Sequence, residues 1–137
     1  MKELGTIVVG TDGSETAERA VDRAGMLARA LGATVHVVSG YNANASQMAA
    51  RSDEDRTRAQ QYVKQAQRRL AESGVTTETH IWAGNPAEAL LTTADEQGAQ
   101  MIVVGNRGMT GARRVPGSVP NRVSHHAECA VLIVPTC

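Results

Sequence analysis

Residues 101–118 read MIVVGNRGMTGARRVPGS, and this stretch decides the fold. Met101–Val104 is a short apolar, β-branched run, as expected of a strand buried on both faces. Four glycines (105, 108, 111 and 117) and three arginines (107, 113 and 114) follow, and Gly117-Ser118 then opens a helix. A glycine-rich turn between a buried strand and a helix is the element that parallel α/β sheets use to approach a ligand with backbone amides. It is not a Walker loop, since no Gly-Lys-Ser/Thr occurs, and it lacks the spacing of a dinucleotide fingerprint.

Working outward, four more strand-like runs appear: Thr6–Val9, Thr34–Val38, Thr76–Trp82 and Val131–Val134. The third, with Thr76-Thr77-Glu78-Thr79-His80-Ile81, is far more polar than the others, which suits an edge strand. Helices are expected between the runs. The first carries Ala17, Ala20, Val21, Ala24, Leu27, Ala28 and Leu31 at helical spacing, with Ser14 as N-cap and Gly32 at its end. The second carries Ala59, Tyr62, Val63, Ala66 and Leu70 and is followed by Gly74. The third runs from Pro86 to Gly98, and a short fourth from about Ser118 to Ala127. Residues 41–53 (YNANASQMAARSD) read as a polar loop. Alternation of five strands with four helices calls for right-handed crossovers and a parallel sheet covered on both faces. Ligands of such sheets bind at the carboxyl ends of the strands, where the strand order reverses.

Composition narrows the function. With 137 residues the chain fits one domain, 1–137, and its 42% apolar content can form a core without metals or disulfides. Fourteen basic and fourteen acidic side chains cancel, so no electrostatic footprint for duplex nucleic acid or an anionic membrane is expected. Tyr41, Tyr62 and Trp82 are the aromatics, with no Phe, which argues against a base-stacking platform. No apolar stretch approaches a membrane span, no cleavage-site pattern follows Met1, and Cys129 and Cys137 are expected as free thiols, so a cytoplasmic setting is expected. Adjacent His125 and His126 on a helix point about 100° apart, so one is expected to pack and the other to be solvated, rather than both binding a metal. His36, inside an apolar run, is expected as a satisfied core or sheet-surface histidine rather than a catalyst.

Gly105-x-x-Gly108, eight residues, then Gly117-Ser118, together with Ile7-Val8-Val9-Gly10-Thr11-Asp12-Gly13-Ser14, Gly84-Asn85-Pro86 and Val131-Leu132-Ile133-Val134-Pro135, resembles the ATP-binding universal stress proteins over nearly the whole chain. The spacer is one residue shorter than the family's usual nine, and Pro116 precedes the glycine where an aliphatic residue is common. The resemblance implies an adenine nucleotide alpha hydrolase-like fold: one open five-stranded parallel sheet in the order 3-2-1-4-5. It implies an adenine-nucleotide ligand, ATP or else AMP or cyclic AMP, in a regulatory stress-response protein. By position it carries the nucleotide contacts to Gly10, Thr11 and Asp12, to the Val37 backbone for the adenine edge, to Val104, Gly105, Arg107 and Gly108, and to Gly117, Ser118 and Val119 for phosphate. Asp12 would take a ribose hydroxyl or help hold Mg²⁺ at the phosphates; by residue type alone it is a helix-capping aspartate. Pro120 falls where a further donor is sometimes found and has no N–H to give. The resemblance also implies a homodimer through Val131–Val134.

No general base other than Asp12 is placed for attack on a γ-phosphate, so turnover well above ~1 per second is not expected. Slow hydrolysis or autophosphorylation is compatible with the resemblance. The alternative of a nucleotide-free interaction module is weakened by the retained glycines.

Overall fold

Strands β1 (Thr6–Gly10), β2 (Thr34–Tyr41), β3 (Thr77–Ala83), β4 (Met101–Gly105) and β5 (Ala130–Val134) alternate with helices α1 (Glu15–Leu31), α2 (Ala49–Glu72), α3 (Pro86–Gln97) and α4 (Val119–His126). The computed structural model describes residues 5–41, 49–106 and 118–135. All strand pairings are parallel and the sheet order is β3-β2-β1-β4-β5, as the resemblance implied.

Side chains of a strand alternate between faces, and here each face has its own core. Ile7, Val9, Val35, Val37 and Val103 pack with Ala20, Val21 and Ala24 of α1 and Val63 and Leu70 of α2. Val8, Val38, Ile102 and Val104 pack on the other face with Ala87 and Leu90 of α3 and Val123 of α4. Each Val, Leu or Ile among them contributes about 1.5–3 kcal/mol when fully buried. Burial on both faces is why these runs are continuously apolar rather than alternating. A core without Phe is closed by small residues that let helices approach: a Cβ on Gly25 of α1 would lie 2.8 Å from Leu70 Cδ2 of α2.

The helix ends follow the sequence signals. Ser14 Oγ accepts the Ala17 N–H (3.2 Å), and Asn85 Oδ1 accepts the N–H groups of Ala87 (2.8 Å) and Glu88 (3.3 Å) with Pro86 at the first turn. Gly32 and Gly98 close α1 and α3 with φ of 69° and 62°, left-handed values that favour glycine.

Some elements depart from expectation. β2 continues past Val38 through Ser39 and Gly40 to Tyr41, and α2 begins at Ala49, so the polar loop expected over 41–53 is helical in its last part. Residues 53–58 of that helix are largely exposed and the buried stripe starts at Ala59, so the first turns of α2 carry no apolar periodicity to read. His125 and His126 are both exposed, since α4 turns Val123 inward and leaves its last residues in solvent. Cys129 is a half-buried free thiol whose pKa is raised by burial, in keeping with a small packing residue. Cys137 lies outside the described residues.

The polarity of β3 acquires a reason. His36 of β2 is 3% exposed, and its register partner on β3 is Glu78. Its ring stacks on His80 with centroids 5.1 Å apart, its Nδ1 lies 2.8 Å from His80 Nε2, and its Nε2 lies 3.6 Å from a Glu78 oxygen. The edge strand therefore supplies the polar groups that satisfy a buried imidazole.

Candidate functional site

Helix α1 leaves the carboxyl end of β1 on one face, whereas α4 follows β4 on the other. Where two neighbouring parallel strands send their connections to opposite faces, a crevice opens between them. A cleft of about 170 Å³ lies there.

The β1–α1 elbow forms its rear. Thr11 donates its N–H to the Val38 carbonyl (2.9 Å), Gly13 to Thr11 Oγ1 (3.2 Å) and Ser14 to Asp12 Oδ1 (3.0 Å). Gly13 has a φ of 78° and packs against Tyr62 of α2, where a Cβ would approach the ring to 2.5 Å. Asp12 thus builds an Asx-type turn ahead of the Ser14 cap. The Gly13 and Ser14 amides are spent on the elbow's own side chains and the Thr11 amide on β2, and Glu15 and Glu18 add negative charge to the first turn of α1. This helix start suits hydroxyl donors at Asp12 better than an anion.

Toward β2 the wall is apolar, made by Val38, Gly40, Pro86 and Leu90. Gly40 must be small: a Cβ there would lie 3.0 Å from the Gly84 carbonyl and 3.2 Å from Pro86 Cα. The Gly84 N–H bonds the Tyr41 carbonyl (2.7 Å), so the turn into α3 is laid directly on the end of β2. Toward β4 the cleft is bounded by Val104, Gly105, Thr16, Val119 and Pro120. Ser118 caps α4 by accepting the Asn121 N–H (3.4 Å). Asn106 follows Gly105, gives its N–H to Val134 O (2.9 Å), and holds a buried Oδ1 that meets no donor among the described residues. An acceptor so placed costs free energy until a donor reaches it.

Of the residues expected to hold a ligand, Gly10, Thr11, Asp12, Val104, Gly105 and Val119 line this one cleft, and Ser118 caps the helix whose first two residues line it. Val37, expected to contribute its backbone, is not among the lining residues; its side chain is fully buried in the α1–α2 core, and the neighbouring Val38 lines the cleft. Arg107, Gly108 and Gly117 lie outside the described residues. Thr16, Ala17, Gly40, Pro86 and Leu90 join the site without having been singled out as contacts. The Gly84-Asn85-Pro86 turn was a signal for Pro86 and, through its close approach, for Gly40. Among the described residues no group of three or more His, Cys, Asp or Glu side chains could hold a metal ion, and Asp12 is the one carboxylate lining the cleft. The cleft thus joins an apolar slot at β2 and α3 to hydroxyl, carboxylate and helix-start groups at β1 and α4, which suits a flat apolar ring bearing a polar, anionic tail.

Comparison with known proteins agrees with this geometry. The model of the universal stress protein family matches residues 3–135. Universal stress protein Rv1636 of Mycobacterium tuberculosis is 38% identical over 146 aligned positions, covering 99% of each chain. Among solved structures, a universal stress protein in complex with cAMP is 35% identical with a TM-score of 0.83, covering 99% of this chain and 100% of that one. The universal stress protein from Archaeoglobus fulgidus in complex with dAMP is 28% identical with a TM-score of 0.78, over 96% and 98% of the two chains. Sequence motifs, sheet order and the cleft at the strand reversal meet in one conclusion: the chain belongs to the universal stress protein family.

Proposed function

We propose that this protein binds an adenine nucleotide in the β1–β4 cleft and acts as a regulatory stress protein of the cytoplasm. The observation that carries the reading is the cleft itself: an apolar slot between β2 and α3 faces, across Asp12, the capped start of α4. The base would lie in the slot, the ribose hydroxyls at Asp12 and the phosphate at α4. ATP is the ligand to which the sequence led. Any Mg²⁺ would come with its phosphates, because the cleft offers it a single carboxylate among the described residues. Cyclic AMP is the second reading, favoured by the cAMP-bound relative that matches this chain end to end. Binding rather than turnover is the proposed role, since the Asp12 carboxylate is held in the elbow by the Ser14 N–H.

We also propose a homodimer through β5. This strand pairs with β4 on one side, and among the described residues its other edge has no partner, although Val131, Leu132 and Ile133 make it apolar. Native mass spectrometry of freshly purified protein reads both proposals. The expected species is a dimer that retains, or takes up on addition, one adenine nucleotide per protomer. A monomer at micromolar concentration contradicts the dimer, and a site that ignores added ATP, AMP and cyclic AMP contradicts the binding.

A further inference from the structure

The His36–His80 pair lies on the face of the sheet that carries the cleft. Alternation along β2 puts His36, Val38 and Gly40 on one face, and Val38 and Gly40 line the cleft. The register partners of these two on β3 are His80 and Trp82. Past Trp82 the chain turns through Gly84, whose N–H bonds the Tyr41 carbonyl, into Pro86 of the cleft wall. The strand that carries His80 therefore leads directly into one wall of the cleft.

His36 Nδ1 lies 2.8 Å from His80 Nε2. A bond between them needs one N–H and one bare nitrogen, whichever ring donates. A neutral pair meets this need, and so does a pair with one extra proton. Two extra protons set N–H against N–H and cation against cation, so the contact breaks. Among the described residues the other charge acting on His36 is Glu78, whose carboxylate is mostly in water and offsets little. From β1 the register neighbour is Val8. Helix α3 packs over β2 and β3 with Leu90, Thr93 and Ala94 buried, while its carboxylates Glu88, Asp95 and Glu96 are exposed. Helix α2 lies on the opposite face. Burial lowers the pKa of His36, and the half-buried His80 gives protons a way in.

We propose that the His36–His80 pair is a pH-sensitive clasp of the cleft: closed, it seats the end of β3 and the Gly84–Pro86 turn against β2, and double protonation releases them and lowers nucleotide affinity. The inference rests on the adenine-nucleotide reading and adds its regulation. The affinity that the clasp supports is full at neutral pH and is lost as acid titrates the pair. By linkage, bound nucleotide holds the second proton off. At neutral pH the pair is closed with or without nucleotide, so binding there leaves β3 in place.

Calorimetric titrations with cyclic AMP and ATP at about pH 7.5, 6.5 and 5.5, across the histidine range, compare the wild type with His80→Gln. The amide of glutamine can turn its NH₂ or its oxygen to His36 Nδ1, so it keeps the bond in either charge state and takes up no proton. Comparing the two proteins at each pH cancels any titration of the ligand itself. The variant is expected to match the wild type at about pH 7.5 and to bind about three- to tenfold more tightly at about pH 5.5, the effect of one hydrogen bond kept. In the unliganded wild type the Gly84 amide resonance is expected to shift over the same range, and in the variant to stay. The ring ¹⁵N signals of His36 and His80 give a reading that needs no variant: they are expected to change charge in the interval in which Gly84 moves. Equal affinities at every pH, a Gly84 amide that moves alike in both proteins, or a Gly84 shift outside the ring interval overturns the clasp and leaves nucleotide binding standing. A wild type that binds neither nucleotide at about pH 7.5 removes the nucleotide reading, and this inference with it.

Discussion

Replacing Gly105 with alanine drives a methyl group into the seam between β4 and α1. A Cβ there runs into Thr16 Cγ2 and lies 3.1 Å from the Thr16 carbonyl oxygen. The backbone of Gly105 is not in the left-handed region, so packing alone decides the outcome. Thr16 is the second residue of α1, and both residues line the cleft. The threonine methyl can leave only by a rotamer jump, and the carbonyl belongs to the helix backbone, so part of the strain falls on the β4–α1 spacing. Overpacking at so rigid a seam costs about 1–3 kcal/mol. For a chain of this length that corresponds to a fall in Tm of roughly 3–12 °C. The double variant Gly105→Ala/Thr16→Ser removes Cγ2 and keeps the new methyl, so it is expected to recover at least half of the loss, with a coupling energy of about 1 kcal/mol. Thermal and urea unfolding followed by circular dichroism measure both. A single variant as stable as the wild type, or a double variant with no recovery, would refute the reasoning.

Two further outcomes follow from groups outside the cleft. Burial lowers the pKa of His36 from the ordinary 6.5, outweighing the opposing pull of Glu78, with His80 lowering it further. The unfolded chain then binds a proton that the folded chain refuses, so this contribution is present above about pH 6.5 and is lost as pH falls toward the lower folded value. Melting temperatures measured downward from neutral pH should fall through that window, and His36→Leu should flatten the fall; an identical slope in the variant would show that the imidazole is not responsible. Arg69 of α2 grips Asp22 of α1 with two bonds, Nε–Oδ1 at 2.6 Å and Nη2–Oδ2 at 2.9 Å, but both side chains are about half exposed. Asp22→Ala is therefore expected to cost less than about 1 kcal/mol, and less again in high salt; a larger, salt-independent loss would contradict the screening argument.

The fold was legible because its chemistry is local. Short β-branched runs such as Ile7-Val8-Val9, bounded by glycines, read as strands buried on both faces, and Ser14, Pro86, Gly32 and Gly98 mark helix ends by hydrogen bonding and φ preference. The sheet order came from the family resemblance, with the polar β3 as its one local sign. The early start of α2 was hidden because residues 53–58 are largely exposed and carry no apolar stripe. In the site, residues adjacent in sequence to the reversal point, from Gly10 to Asp12 and from Val104 to Gly105, could be named in advance. Pro86, Leu90 and Gly40 were not named, because they reach the cleft through a long-range approach of α3 to β2, of which the Gly84-Asn85-Pro86 turn is the one local sign. Val37 and Val38 are both core valines by type, and only the register of β1 and β2 decides which one turns toward the cleft.

The most direct test is a titration of ¹⁵N-labelled protein with cyclic AMP or AMP, followed by amide chemical shifts. If the cleft is the nucleotide site, the largest changes fall on Thr11, Gly40, Gly105 and Val119, while Glu78 and His80 on β3 stay in place. No perturbation at saturating nucleotide, or changes gathered on the β3 edge or the α1–α2 face, would contradict the account.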